Sequence, residues 1–178
     1  MLQAHDVRGS QVLMPSGAGP SYITAEMRDA VGREITRFTS HPISKSDIRK
    51  WLIAVYWPED PPQPGADSQG NFLAPEEFNP FAWSVAEGAR SWHKAGSDPE
   101  GYLRIERPQV RSTVNGAVEV EYGARMRSGD VITSISRLCG YEEREGRAGR
   151  LLFRTTEDVW TNQNDELVKR FRLTLISY

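Results

Sequence analysis

The sequence predicts an α+β domain in which one long helix is wrapped by a curved antiparallel sheet. Two observations carry this. The last third of the chain alternates apolar and polar residues in runs that often exceed ten residues, joined by tight turns. Strands that long, in hairpin succession, imply a strongly curved antiparallel sheet with one face to cover. Ahead of them, the aromatic run from Phe72 to Val85 is apolar enough to be the covering helix.

The first 20 residues are rich in Gly, Ser and Pro and read as a flexible tail; residues 21–178 form the domain. Thr24 to Gly32 reads as a short helix, with Thr24 as cap and Gly32 as stop. Residues 33–39, REITRFT, have the β-branched alternation of a strand. In the following helix Ser44 and Asp47 form a capping box, and Ile48, Trp51, Leu52 and Val55 lie on one stripe. Pro58 closes it. Asn71 onward predicts a kinked helical element, interrupted at Pro80 and ending near Gly88. GAVEVEYGARM, DVITSISRLCGYEERE, RLLFRTTEDVWTN and ELVKRFRLTLISY then read as successive strands.

Length and composition narrow the function. The 178 residues suit one domain with its own core. Lys and Arg number 22 against 24 Asp and Glu, a formal charge of -2, which gives no support to nucleic-acid binding. Cys139 is the only cysteine, so an intrachain disulfide is impossible and no metal site is expected. No run approaches the roughly 18 apolar residues of a membrane span, and the chain reads as cytoplasmic.

Four segments, DIRKWLIAVYWPEDPP, APEEFNPFAW, VEVEYGARMRSGDVITS and YEEREGRAGRLLFRTTEDVWTNQNDELV, together resemble the MaoC-like acyl dehydratases, in particular the FAS1-like dehydratase domain. The resemblance spans most of residues 31–178 in family order. It implies a hot-dog fold, a long central helix in a curved sheet, with dimerisation through the sheets. It also implies a role in lipid metabolism: hydration of a 2-enoyl-CoA to a 3-hydroxyacyl-CoA, with the coenzyme A thioester as substrate and no other cofactor. Catalytic members carry a loop of the form Asp-x-Asn-Pro-x-His after the first helix.

On that pattern Glu59 falls on the Asp, Pro61 on the Asn, Pro62 on the Pro and Pro64 on the His. Glu59 and Asp60 are the remaining candidates for a base, and both are also ordinary turn residues. The resemblance therefore implies a degenerate hydratase subunit that shapes the acyl pocket. A catalytic MaoC-like partner would supply the Asp/His pair in a heterodimer or heterotetramer. A self-dimer using Glu59 or Asp60, and a non-catalytic acyl-CoA binding module, are the rivals.

The other candidates follow from position. Tyr56 and Trp57 line an acyl channel or belong to the core. Phe72, Ala74, Glu77, Phe78 and Asn79 are substrate-binding candidates at the start of the expected central helix, whose free N–H groups can face a thioester oxygen. Phe81 and Trp83 read as core. Asn115 and Gly116 open the first long strand where catalytic relatives carry His-Gly. Arg144, Arg147 and Arg150, at a strand connection, are candidates for coenzyme A phosphates, with Glu142, Glu143 and Glu145 beside them as the competing partners. Cys139 reads as a small core residue.

Overall fold

A computed structural model describes residues 20–82, 98–147 and 149–178. Local signals set the N-terminal elements. Thr24 accepts from the Met27 N–H and starts helix α1, Ala25–Asp29; Gly32, at φ 86°, ends that turn where a side chain would be strained. Strand β1, Glu34–Thr39, follows. Helix α2, Lys45–Tyr56, begins with the expected capping box, Ser44 and Asp47 bonding each other's backbone. Ile48 and Leu52 are buried and Trp51 packs beside them, but Val55 is 56% exposed. The stripe ends one turn early, because nothing described covers the helix beyond Leu52.

Helix α3, Pro99–Leu103, is one short turn with Asp98 as cap. The remaining strands are β2, Thr113–Tyr122; β3, Thr133–Gly146; β4, Gly149–Thr161; and β5, Leu167–Ser177. All pair antiparallel in one five-stranded sheet of order β1-β3-β4-β5-β2. The turn between β4 and β5 is fastened by Asn162, whose side-chain oxygen accepts from the N–H groups of Asn164 and Glu166, with Asp165 left-handed at φ 61°.

Register assigns each residue to a face. Three inner rows cross the sheet: Leu138, Thr156, Leu173 and Val118; Ser136, Asp158, Phe171 and Val120; and Ser134, Trp160, Lys169 and Tyr122. Two hydrophobic clusters sit at the ends of this face. One joins α2 residues Ile48 and Leu52 with Phe78, Phe81, Ile132 and Trp160; the other joins Ala30, Leu103 and Leu138 with Tyr141 packed against it.

Two expectations change. From Phe72 to Ala82 the chain makes isolated bridges and turns, closed by Phe78 N–H to Pro75 and Ala82 N–H to Asn79, and no helix. A proline can open a helix but not continue one, so Pro80 forbids a single ladder running on from Pro75: it has no N–H for the Glu76 carbonyl, and its ring clashes there. Trp83, Val85 and the predicted end at Gly88 lie outside the described residues. Cys139 is exposed rather than core: next to inward-facing Leu138, it takes the outer face by simple alternation.

Candidate functional site

The site expected by position lies between the end of α2 and β2. Trp57 begins the connecting loop and is 78% exposed; Tyr56 is 42% exposed. Neither is core. Glu59 and Asp60 are exposed and make no side-chain hydrogen bond or ion pair among the described residues. Past them, Asp67 organises the loop. It accepts from the backbone of Gln69 and Asn71 and from the Asn71 side chain, and these bonds, those from Asn71 foremost, hold its carboxyl below the ordinary carboxylate range.

This loop delivers Phe72 to a ledge on which Lys45 Nζ and the Arg49 guanidinium lie 5.0 and 5.9 Å from its ring centroid. Ala74 is buried, donating to Met126 at 2.9 Å and accepting from Arg125 at 2.8 Å. Phe78 is 1% exposed, edge-on to Trp51 at 6.5 Å, which makes it core. Asn79 caps the next turn by accepting from the Phe81 N–H. The Glu76 and Glu77 N–H groups find no internal acceptor among the described residues and are open to an incoming oxygen.

Glu77 brings in residues that the sequence did not single out. Its carboxylate accepts from the Tyr122 hydroxyl and lies 3.4 Å from Lys169 Nζ. Lys169 is 9% exposed, with its ammonium over the rings of Tyr122 and Trp160 at 5.2 and 5.4 Å. A shallow cleft lined by Ala74, Pro75, Glu76, Tyr122 and Arg125 opens beside this group. A lysine inside the alternating run of β5 was the available sequence signal, but only the register shows that it faces Tyr122.

Asn115 and Gly116 are not part of this cluster. They lie on the exposed edge strand β2, seven residues from Tyr122, which at strand rise is roughly 20 Å. Gly116 has a packing reason: an added Cβ would fall 2.7 Å from Ile176 Cγ1 and 3.0 Å from the Thr174 carbonyl oxygen.

The three arginines do not converge either. Arg144 lies on the outer face, bonded to Glu142 and 4.6 Å over the Phe153 ring. Arg150 lies on the inner face against Glu145 and Glu143 at 3.1 and 3.9 Å. Arg147, in the turn between the strands, is exposed and makes no ion pair among the described residues. A separate cavity of about 530 Å³ opens where Pro20 to Tyr22, Glu106 to Gln109 and the Arg150 end of this hairpin meet. Both of its arginines are occupied, Arg107 by Asp98 at 2.8 Å and Arg150 as above. Among the described residues no group of three His, Cys, Asp or Glu could hold a metal ion, and no helix is long and apolar enough to cross a membrane.

Comparison with known proteins agrees with this architecture. The structure of the ChsH1-ChsH2 complex from Mycobacterium tuberculosis aligns at a TM-score of 0.52 and 13% identity, covering 86% of this chain and 91% of that one. A MaoC-like dehydratase from Rhodospirillum rubrum is 18% identical over 85% of this chain and 95% of that one, with a TM-score of 0.46. R-hydratase PhaJ1 from Pseudomonas aeruginosa is 11% identical over 83% and 81%, with a TM-score of 0.49. No curated protein matches. The family described as FAS1-like, dehydratase domain region, matches residues 29–171. The chain therefore belongs to the FAS1-like dehydratase domain family and has the α+β hot-dog fold, as its motifs implied.

Proposed function

We propose that this domain is a subunit of a 2-enoyl-CoA hydratase, acting reversibly as a 3-hydroxyacyl-CoA dehydratase, that shapes the acyl-CoA pocket beside a partner carrying the catalytic Asp and His. Hydration places a water-derived hydroxyl on C3 and a proton on C2. It needs a base to activate the water and donors for the enolate oxygen. The observation that carries the reading is the state of the loop after α2. Glu59 and Asp60 are solvated and unsupported, prolines stand at 61, 62 and 64, and no histidine is present there. A catalytic carboxylate is ordinarily held and partly desolvated by its neighbours, which these are not.

What the chain does offer is a pocket wall. The Glu76 and Glu77 N–H groups suit the thioester oxygen, the Phe72 ledge suits the pantetheine end, and Arg147 suits a phosphate of coenzyme A. Coenzyme A enters as part of the substrate, with no resident cofactor. The free edge of β2 is the place for a second hot-dog sheet to add, in a heterodimer or a pair of them. The Mycobacterium tuberculosis structure, a complex of two named chains, supports a heteromeric arrangement.

The test is reconstitution. The chain is expected to co-purify with a hot-dog protein bearing an Asp-x-Asn-Pro-x-His loop, with 2-enoyl-CoA hydration appearing only in the pair. Hydration by the isolated chain at the rate of the pair, lost on Glu59→Gln or Asp60→Asn, would overturn the degenerate reading for a self-sufficient homodimer. Acyl-CoA binding with no turnover in any pairing would leave a binding module.

A further inference from the structure

A buried ammonium stands where the sheet pattern calls for an apolar side chain. Lys169 lies in the inner row between Trp160 on β4 and Tyr122 on β2, and it is 9% exposed. Its Nζ sits over both rings, at 5.4 and 5.2 Å, and 3.4 Å from the Glu77 carboxylate. Taking an ammonium out of water is costly, and a pair whose acidic end is 66% exposed returns little of that cost. An apolar residue beside Trp160 would serve the fold at least as well. The lysine is explained by what it holds.

It holds a turn. The Phe78 N–H donates to the Pro75 carbonyl at 3.0 Å, and neither Glu76 nor Glu77 takes a positive φ. That combination is a type I turn, in which the two central N–H groups are free and lie side by side as in the first turn of a helix. The backbone is pinned before and after it. Ala74 donates to Met126 at 2.9 Å and accepts from the Arg125 guanidinium at 2.8 Å, and the Phe78 ring is buried against Trp51. Between these anchors, among the described residues, only the Glu77 side chain ties the turn to the sheet, accepting from the Tyr122 hydroxyl and pairing with Lys169.

Fixing Glu77 fixes the Glu76 and Glu77 N–H groups, which are exposed and find no internal acceptor among the described residues. The turn borders a cleft of about 10 Å³, room for one water-sized atom such as a carbonyl oxygen. A donor pair must be held to roughly 0.5 Å to act on such an atom, which an exposed turn with one backbone bond does not achieve alone. Lys169 also offsets the Glu77 charge, which would otherwise oppose negative charge growing on an oxygen held there.

We propose that Lys169 and Tyr122 are positioning residues for the thioester: acting through the Glu77 carboxylate, they aim the Glu76 and Glu77 N–H groups at its carbonyl oxygen. This rests on the hydratase reading above. Neither residue touches the substrate. The oxygen gains negative charge as water adds at C3 and loses it as C2 takes its proton, so the clamp acts on the transition state far more than on bound substrate.

The test uses the full chain with the Asp/His-bearing subunit, 2-decenoyl-CoA for hydration and decanoyl-CoA, isotopically labelled at the thioester carbonyl, for infrared spectroscopy. Binding to the parent should lower the carbonyl stretching frequency, the mark of hydrogen bonds to that oxygen. Lys169→Met is expected to lose most of that shift and to lower kcat about 10- to 100-fold with KM within about twofold, while melting no lower than the parent. Tyr122→Phe removes one hydroxyl and should lose about 3- to 10-fold in kcat, and it gives the same readout where Lys169→Met does not fold. Adding Glu77→Ala to Lys169→Met should cost no further activity, because both act through one carboxylate. Variants that melt lower with kcat, KM and the carbonyl shift unchanged overturn the proposal and leave the hydratase reading intact. Decanoyl-CoA that binds the parent with no shift does the same. A shift lost in Lys169→Met, with no hydration in any pairing, supports the clamp and removes the hydratase reading. Binding of no acyl-CoA removes both.

Discussion

Two carboxyl groups beneath the inner face, one buried and one half-buried, have opposite fates. Glu100 is 1% exposed, accepts from the Tyr141 hydroxyl at 2.6 Å and pairs with Arg154 at 2.6 Å, which ties α3 to the sheet. The Tyr141 hydroxyl is pushed far up, mainly by burial and then by Glu100, so it acts as a fixed donor. Glu100→Ala leaves Arg154 buried beside a lost partner and should cost about 3 kcal/mol in denaturant unfolding; a cost under about 1 kcal/mol would show the site relaxing around water. Asp158 has no cation partner among the described residues, only the Ser136 hydroxyl, and its raised carboxyl sets the sign of a pH effect. The folded state holds its proton more tightly than the unfolded chain. Stability is therefore lost as pH rises from the ordinary carboxylate range through the raised native value, and the loss persists above it. Without ligand, Asp158→Asn should melt higher than the parent at pH 7 and equally at acid pH below that range. An Asn variant less stable at neutral pH would mean the carboxylate is paired.

At the scale of elements, what was legible in the sequence was local. The Thr24 cap and the Ser44 and Asp47 box rest on side chains reaching three residues along the chain, and each formed as its residues predicted. Ser44→Ala should destabilise by about 1 kcal/mol, visible as a lower melting temperature with an unchanged denaturant slope; no change would show the box redundant. What was not legible depends on register. The bulge at Leu138 and Gly140 places one extra residue in β3, so Tyr141 returns to the inner face to meet Glu100. Plain alternation would have put Tyr141 outside. The meeting of Glu77, Tyr122 and Lys169, and that of Ser136 with Asp158, join strands far apart in sequence, so no spacing along the chain announces them. The proline-rich loop was legible as the place where a dyad is missing, but Trp57 lying open to solvent beside it was not.

At the scale of the molecule, the two faces and the edge of the sheet make different offers to a partner. The outer face carries a row of alternating charge, Arg137, Glu157, Arg172 and Glu119, each opposite the next across four strands. Arg172 bridges Glu157 at 2.9 Å and Glu119 at 3.7 Å, and Arg170 bonds Glu121 beside them. Charges that neutralise one another within the chain have little left to gain from a partner, and this face suits water. The edge is the reverse. All of β2 but Tyr122 is exposed, Val114 and Val118 are 46% and 54% exposed, and among the described residues one side of its backbone has no neighbouring strand. A ten-residue edge of that kind is a template for strand addition. If the partner subunit joins there, amide hydrogen exchange in residues 113–122 should slow by at least tenfold on forming the pair, against little change in the central strands β3 and β4. Glu157→Lys, which breaks the outer row on the central strand β4, should then leave the affinity for the partner unchanged and lower the chain's own stability by about 1 kcal/mol. Unchanged exchange in that segment, with association lost on Glu157→Lys, would instead make the charged outer face the contact surface. The two sheets would then meet face to face and not edge to edge.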